Sequence, residues 1–213
     1  MIKFVVLVAA LAVAMLANIE VVHEPKGHGL VPSFARITGA NYVNPCEFME
    51  SVYKVDKRLS CEVRATVEKP KYKVYKLDQR FEGVRIWNTN GMVISENASD
   101  IINGNIYLVP PKKGNPVLTE EQALQIAKKA LEGKMSSNAS GEISAETMDH
   151  DSAKTDLVYA ANVDEMDVHH LRLSYLFDIM IPEIFHHSVI LIDAENGSVI
   201  NVSDHTYTGD VSG

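Results

Sequence analysis

Near the C-terminal end, two apolar runs flank a short polar break in Ser188 to Ser203, SVILIDAENGSVINVS. Asn196-Gly197 is the strongest local signal here, because an Asn-Gly pair suits a tight turn whose central residues take positive φ. The segment is therefore expected to be a β-hairpin. Two more strand-like runs precede it, Leu157 to Val163 and Leu171 to Ile181, the second broken off by Pro182. A sheet with this much apolar side chain must be covered by something. The covering element is LTEEQALQIAKKALEGK, an amphipathic helix. Thr119 is its N-cap, and Gln122 completes a capping box. Glu120 and Glu121 lie at the positive end of the helix dipole, with Lys128 and Lys129 toward the other end. Ala123, Ile126, Ala127, Ala130 and Leu131 form one stripe, and Gly133 is placed to end the helix. Residues 132–156 are small, polar and acidic and read as a loop.

The first half carries a different pattern. Glu47 to Leu59 has Phe48, Val52, Val55 and Leu59 at helical spacing. From Tyr72 to Trp87, β-branched and aromatic residues alternate with polar ones, and Asn88 to Gly91 supplies turn chemistry before Met92 to Ile94. A further strand is expected from Asn105 to Val109, stopped by Pro110-Pro111. The stretch 110–116 reads as a linker between the halves, and residues 18–45 as an irregular lead-in.

Residues 1–17 have the layout of a cleaved secretory signal: Lys3 in a short basic head, an uncharged apolar run from Phe4 to Leu16, and small residues before Asn18. That run is shorter than the ~20 residues a membrane helix needs, so a secreted, extracellular protein without a membrane partner is expected. A net charge of −8 argues against a nucleic-acid partner. Cys46 and Cys61 are the only cysteines. In an oxidising compartment a disulfide is expected, the other reading being two buried thiols. One helix could not carry such a bridge, because ~1.5 Å of rise per residue would part the two by roughly 22 Å. Asn97, Asn138 and Asn196 open Asn-x-Ser sequons and are candidate glycosylation sites, and Asn201 is the poorest of the four, lying inside an expected strand.

Motifs for catalysis are sparse. His23 to His28 imitates a zinc-protease signature, but its histidines are five apart with Pro25 and Gly27 between them, so no helix presents both. His169-His170 and His186-His187 are adjacent pairs whose members point to opposite faces of a strand. A metal site would need one histidine from each pair plus a carboxylate such as Asp178. No nucleophile elbow, CxxC, P-loop or dinucleotide turn occurs. No catalytic residue, metal ligand or cofactor-binding residue is assigned.

The order of the pieces resembles a known pro-region. KLDQRFEGVRIW, from Lys76 to Trp87, resembles a strand pair of the fungalysin/thermolysin-type propeptide domain. LTEEQALQIAKKAL and LSYLFDIMIPEIFHHSVILIDAENGSVINV resemble the helix-then-sheet PepSY domain that follows it, with Leu191 to Val199 matching its terminal turn. Asn88 and Glu195-Asn196 depart from that pattern, all in turns. The resemblance implies an α+β fold of two small units, each an antiparallel sheet packed with a helix, over residues 46–110 and 117–204. It further implies an inhibitory and folding-assisting pro-region of a secreted thermolysin-like zinc metallopeptidase, with the catalytic domain absent from this chain. Zinc is then expected only in the partner peptidase domain, met in cis or in trans. The tail 205–213, with His205, Thr206, Tyr207 and Thr208, would lie in the peptidase cleft. The alternatives are a stand-alone secreted peptidase-binding or inhibitor protein, and a secreted α+β binding module with no peptidase partner.

Overall fold

The computed structural model describes residues 18–23, 29–30, 34–38, 44–89, 91–96, 99–138, 153–162, 164–165, 167–181 and 186–204. The signal-like segment and the tail lie outside these residues. Among the described residues, eleven strands join in one mixed sheet, and two α-helices pack on it. The expected pair of small α+β units is thus overturned: the molecule is mostly strand, and the two halves share a continuous sheet.

In chain order the strands are β1 (Asn18–His23) and β2 (Phe34–Thr38), then β3 (Leu59–Glu68), β4 (Lys73–Phe81) and β5 (Val84–Ile86). They continue with β6 (Gly91–Glu96), β7 (Ser99–Asn103), β8 (Ala153–Ala160), β9 (Arg172–Ile181), β10 (His186–Asp193) and β11 (Val199–Asp204). The helices are α1 (Pro45–Tyr53) and α2 (Glu120–Asn138). The path across the sheet runs β1-β2-β7-β6-β4-β5-β8-β9-β10-β11, with β3 attached only to β4.

The fusion of the halves rests on a short parallel pair. Arg85 and Ile86 of β5 lie beside Val158 and Tyr159 of β8, and the Trp87 N–H donates to the Tyr159 carbonyl at 2.8 Å. Leu59, Phe81, Ile86, Tyr107, Tyr159, Leu173 and Ala194, drawn from both halves, form one buried cluster beneath this join. The Phe81 and Tyr159 rings meet there with centroids 5.4 Å apart. Burial of a Leu, Ile or Phe side chain such as Leu59, Phe81 or Ile86 stabilises the fold by about 1.5–3 kcal/mol relative to exposure. Separating the halves would expose most of them, which is why independent units are not formed.

Several local expectations are corrected. The lead-in contains β1 and β2, which pair with each other, and β2 pairs with β7. Ala35 and Ile37 are fully buried, alternating with exposed Arg36 and Thr38. α1 begins at Pro45 behind an Asn44 cap and stops at Lys54, whose φ of 52° leaves the helical region, so Val55 and Leu59 are not helical. β3 lies in a stretch given no element, although Leu59, Cys61, Val63, Ala65 and Val67 alternate there with polar residues; only Leu59 of the ten is buried, and a bulge between Val63 and Ala65 interrupts the ladder. The expected strand over Asn105 to Val109 reduces to a single bridge, Leu30 with Tyr107. Buried Gln79 substitutes for a ladder there: its side-chain amide donates to the Tyr107 carbonyl at 2.7 Å and accepts from the Tyr107 N–H at 2.9 Å. β4 turns into β5 through Glu82 and Gly83, both at positive φ, the geometry of a two-residue hairpin.

In the second half, the Thr119–Gln122 capping box forms, at 2.9 and 3.2 Å. α2 buries Ala123, Leu124, Ala127 and Leu131, so the buried stripe is turned toward Leu124 and leaves Ile126 and Ala130 at its margin. It rests on Phe177, Ile179 and Ile181 of β9 and Ile190 and Ile192 of β10. The opposite face of these strands carries Leu176, Val189 and Leu191, packed with Val158 and Ala160 of β8. β10 is therefore covered on both faces, which accounts for its unbroken apolar run. The helix does not end at Gly133 but continues to Asn138, because Lys134 is anchored to β11.

The β10–β11 turn differs from the two-residue form. Gly197 has φ of 77°, whereas Asn196 is not at positive φ. The Gly197 N–H donates to the Asp193 carbonyl, and the Asp193 N–H donates to the Ser198 carbonyl, closing a four-residue loop. Buried Asp193 organises it: Oδ1 accepts from the Glu195 and Asn196 N–H groups at 2.8 and 3.2 Å, and Oδ2 accepts from the Asn196 side-chain amide. A Cβ added at Gly197 would stand 2.9 Å from Ile126 of α2. Gly197→Val is accordingly expected to cost about 1–3 kcal/mol, by strain and by displacing α2. Glu195→Ala, on the exposed side, should melt near the parent temperature. Equal losses in the two variants would contradict the turn geometry.

Candidate functional site

The densest polar constellation lies where β10 begins, β11 ends and α2 passes. Ser188 stands opposite Asp204 in the β10–β11 ladder, and His186 precedes Ser188 by two residues on the same face of β10. The Ser188 hydroxyl donates to Asp204 Oδ1 at 2.8 Å and lies 2.7 Å from His186 Nε2. Lys134 Nζ reaches Asp204 Oδ2 at 2.9 Å and also donates to the Val202 carbonyl at 2.9 Å. Three elements are thereby fastened at the last residue of the sheet.

A serine, a histidine and an aspartate in one cluster invite comparison with a hydrolase triad. In that machinery the histidine sits between the other two and removes the serine proton. Here serine sits in the middle. Its proton already goes to the carboxylate, so the imidazole must donate to the hydroxyl oxygen rather than accept from it. Ser188 is also fully buried. The arrangement ties strands together and does not have the polarity of a nucleophile.

Burial alone would push the Asp204 carboxyl up. Hydrogen bonds from Lys134 and Ser188, with the positive charge of Lys134 and the nearby His186, outweigh burial and hold it below the ordinary carboxylate range. His187, pointing to the other face, pairs with Asp178 across the β9–β10 ladder at 2.6 Å. His186 and His187 thus take different carboxylates, and His169 and His170 lie in a separate 3-10 turn at Val168–His170, with His170 3.9 Å from Glu165. The four histidines are not brought together. Among the described residues no group of three or more His, Cys, Asp or Glu is arranged to hold a metal ion.

Cys46 and Cys61 are joined in a disulfide, with Cα atoms 5.4 Å apart, tethering the first turn of α1 to β3. Among the sequons, Asn196 is exposed in the β10–β11 turn but uses its side chain there, donating to Asp193 and accepting from the Ser198 N–H. Asn138 is the last residue of α2, not part of a loop. Asn201 sits within β11, its amide donating to Ser203. Asn97 and the tail residues His205, Thr206, Tyr207 and Thr208 lie outside the described residues, as does His28. Sequence reasoning missed the Ser188–Asp204–Lys134 cluster. Once the turn is placed, the hairpin register sets Ser188 opposite Asp204, so part of the signal was present; Lys134 was lost with the helix end assigned to Gly133.

A second polar feature is an open cavity of about 230 Å³ lined by Asn162, Glu165, His170, Arg172, Ser198 and Ile200. Arg172 reaches the buried Asp193 carboxylate at 3.5 Å along its wall, so this cavity borders the turn network.

No family model and no curated protein matches the chain. Among solved structures, it is similar to the Bacillus megaterium YpeB C-terminal domain, with a TM-score of 0.38 and 14% identity over 82% of this chain and 72% of that one. At that level the likeness assigns neither family nor activity.

The Asp204 cluster makes a pH prediction. Its folded-state pKa is depressed, so its stabilisation is complete above the unfolded value of about 3.9 and is lost as pH falls through the folded value. Asp204→Asn should therefore destabilise the protein at neutral pH, and the gap to the parent should narrow in urea titrations near pH 3. A gap independent of pH would show that the carboxylate charge contributes nothing.

Proposed function

We propose that this chain is the inhibitory and folding-assisting pro-region of a secreted thermolysin-like zinc metallopeptidase, without catalytic residues of its own. The observation that carries the reading is the anchored end of β11. Asp204, held by Lys134, Ser188 and the nearby His186, is the point from which the chain continues into 205–213. A tail that starts from a rigid point loses less freedom on entering a cleft than one that starts from a frayed strand. Small polar residues around Tyr207 suit an extended backbone, whose main-chain groups can pair with the edge of a peptidase cleft. The folded sheet adds a second contact, so tail and domain bind as linked sites. The motifs from Lys76 to Trp87 and from Leu191 to Val199 support the same family resemblance, and each contains a turn with a glycine at positive φ, Gly83 and Gly197.

The test is an inhibition titration of thermolysin-like peptidases with the full chain and with a form ending at Asp204. The full chain is expected to inhibit, and the shortened form to inhibit more weakly by about 100-fold, the scale on which linked sites separate. Absence of inhibition by either form across a panel of such enzymes would overturn the proposal. Equal inhibition by both would move the contact from the tail to the folded face.

A further inference from the structure

β3 is the longest strand margin whose side chains the structure describes. It pairs with β4 on one side only, and among the described residues no backbone hydrogen bond reaches its other side between Ser60 and Val67. An unpaired row of N–H and C=O groups is a template for another strand, and proteins ordinarily blunt it with bulges and charges. β3 has both. The ladder steps from Val63–Leu77 to Ala65–Lys76, leaving Arg64 as the extra residue of a bulge. Yet Val63 and Val67 are still 38% and 37% exposed, and no proline interrupts the strand.

The charges have a pattern. Glu62 bonds Arg80 at 2.9 Å and Arg64 lies 3.6 Å from Asp78, so these four side chains share one face of the β3–β4 pair. On β3 the order is minus at 62 and plus at 64, with Val63 between them. When such a strand meets an antiparallel copy of itself about Val63, Glu62 faces Arg64 of the second copy and Arg64 faces its Glu62. Both cross-strand pairs are attractive, and each carboxylate lies between two guanidinium groups, one from its own β4. A two-fold axis through Val63 produces this from one patch used twice. Alternative registers lose it: an axis at Ala65 sets Glu62 against Glu68 of the copy.

We propose that β3 is a self-association edge, at which two copies of this chain join their sheets through an antiparallel β3–β3 pair centred on Val63. The occupant is a second copy because the charge sequence complements itself in one register. β11, the margin nearest the tail, offers no such pair, since its only charged residue is Asp204. This inference is independent of the peptidase reading and does not use the tail.

Sedimentation velocity on the full chain, over a concentration series at low and high salt, should show a monomer–dimer equilibrium weakened by salt. Glu62→Arg alone and Arg64→Glu alone each place like charges across the axis, and each should weaken dimerisation by about tenfold or more. Mixing the two single variants restores both attractive pairs, so a heterodimer should form where neither variant dimerises alone. Circular dichroism of each variant establishes that it is folded. A chain that stays monomeric to its solubility limit overturns the proposal. So does a dimer that survives both single substitutions unchanged, or a mixture that fails to associate.

Discussion

Everything in this molecule depends on a join only a few residues long. The β5–β8 parallel pair, extended by the Trp87-to-Tyr159 hydrogen bond, converts two antiparallel halves into one sheet. A parallel pair this short is weak in its own right. Its strength comes from beneath, where Phe81, Ile86 and Tyr159 share a cluster with Leu173 and Ala194. Ala194 links the cluster to the helical layer as well, because its carbonyl accepts the Val117 and Leu118 N–H groups just ahead of α2. Tyr175 adds a bond from its hydroxyl to the Leu118 carbonyl. The segment that separates the halves in sequence is thus fastened to the hairpin turn.

That continuity bears on function. Asp204 closes the sheet at one margin while β3 stands open off its central strand, and both are set in position by the same framework. A ligand bound through 205–213 would therefore engage a single body rather than a loose pair of modules. Polar groups follow the same logic: Asp193 and Ser188 are buried but hydrogen-bonded, Gln79 stands in for a missing ladder, and none is left exposed as a reactive group. Buried polar groups that are fully satisfied specify geometry. They act here as fasteners.

Much of the C-terminal half was legible in the sequence. Its long apolar runs, the Thr119–Gln122 box and the Asn-Gly signal are strong because local chemistry and burial agree. The first half was less so. β1 and β2 are short strands in a segment rich in His, Pro and Gly, and β3 buries only Leu59 despite its apolar alternation through Val67. The fusion of the halves was illegible for another reason: a three-residue strand pairing across about 70 positions leaves no periodic trace. Gly133 illustrates a local rule overridden by tertiary structure, since the Lys134–Asp204 pair carries the helix past it. The polar cluster at Asp204 depended on that same residue, so one misplaced boundary concealed two features.

The fused sheet requires that the two halves open as one cooperative body. Amide hydrogen exchange of the full chain, read at the Trp87 N–H and at interior positions of β9 and β10, addresses this directly. In a fused sheet the Trp87 amide opens only with the surrounding core, so its protection should match that of Ile190 and Phe177 and fall together with theirs in rising denaturant. A Trp87 amide that exchanges far faster, while β9 and β10 stay protected, would mean that the halves part readily and that the single-sheet account is wrong.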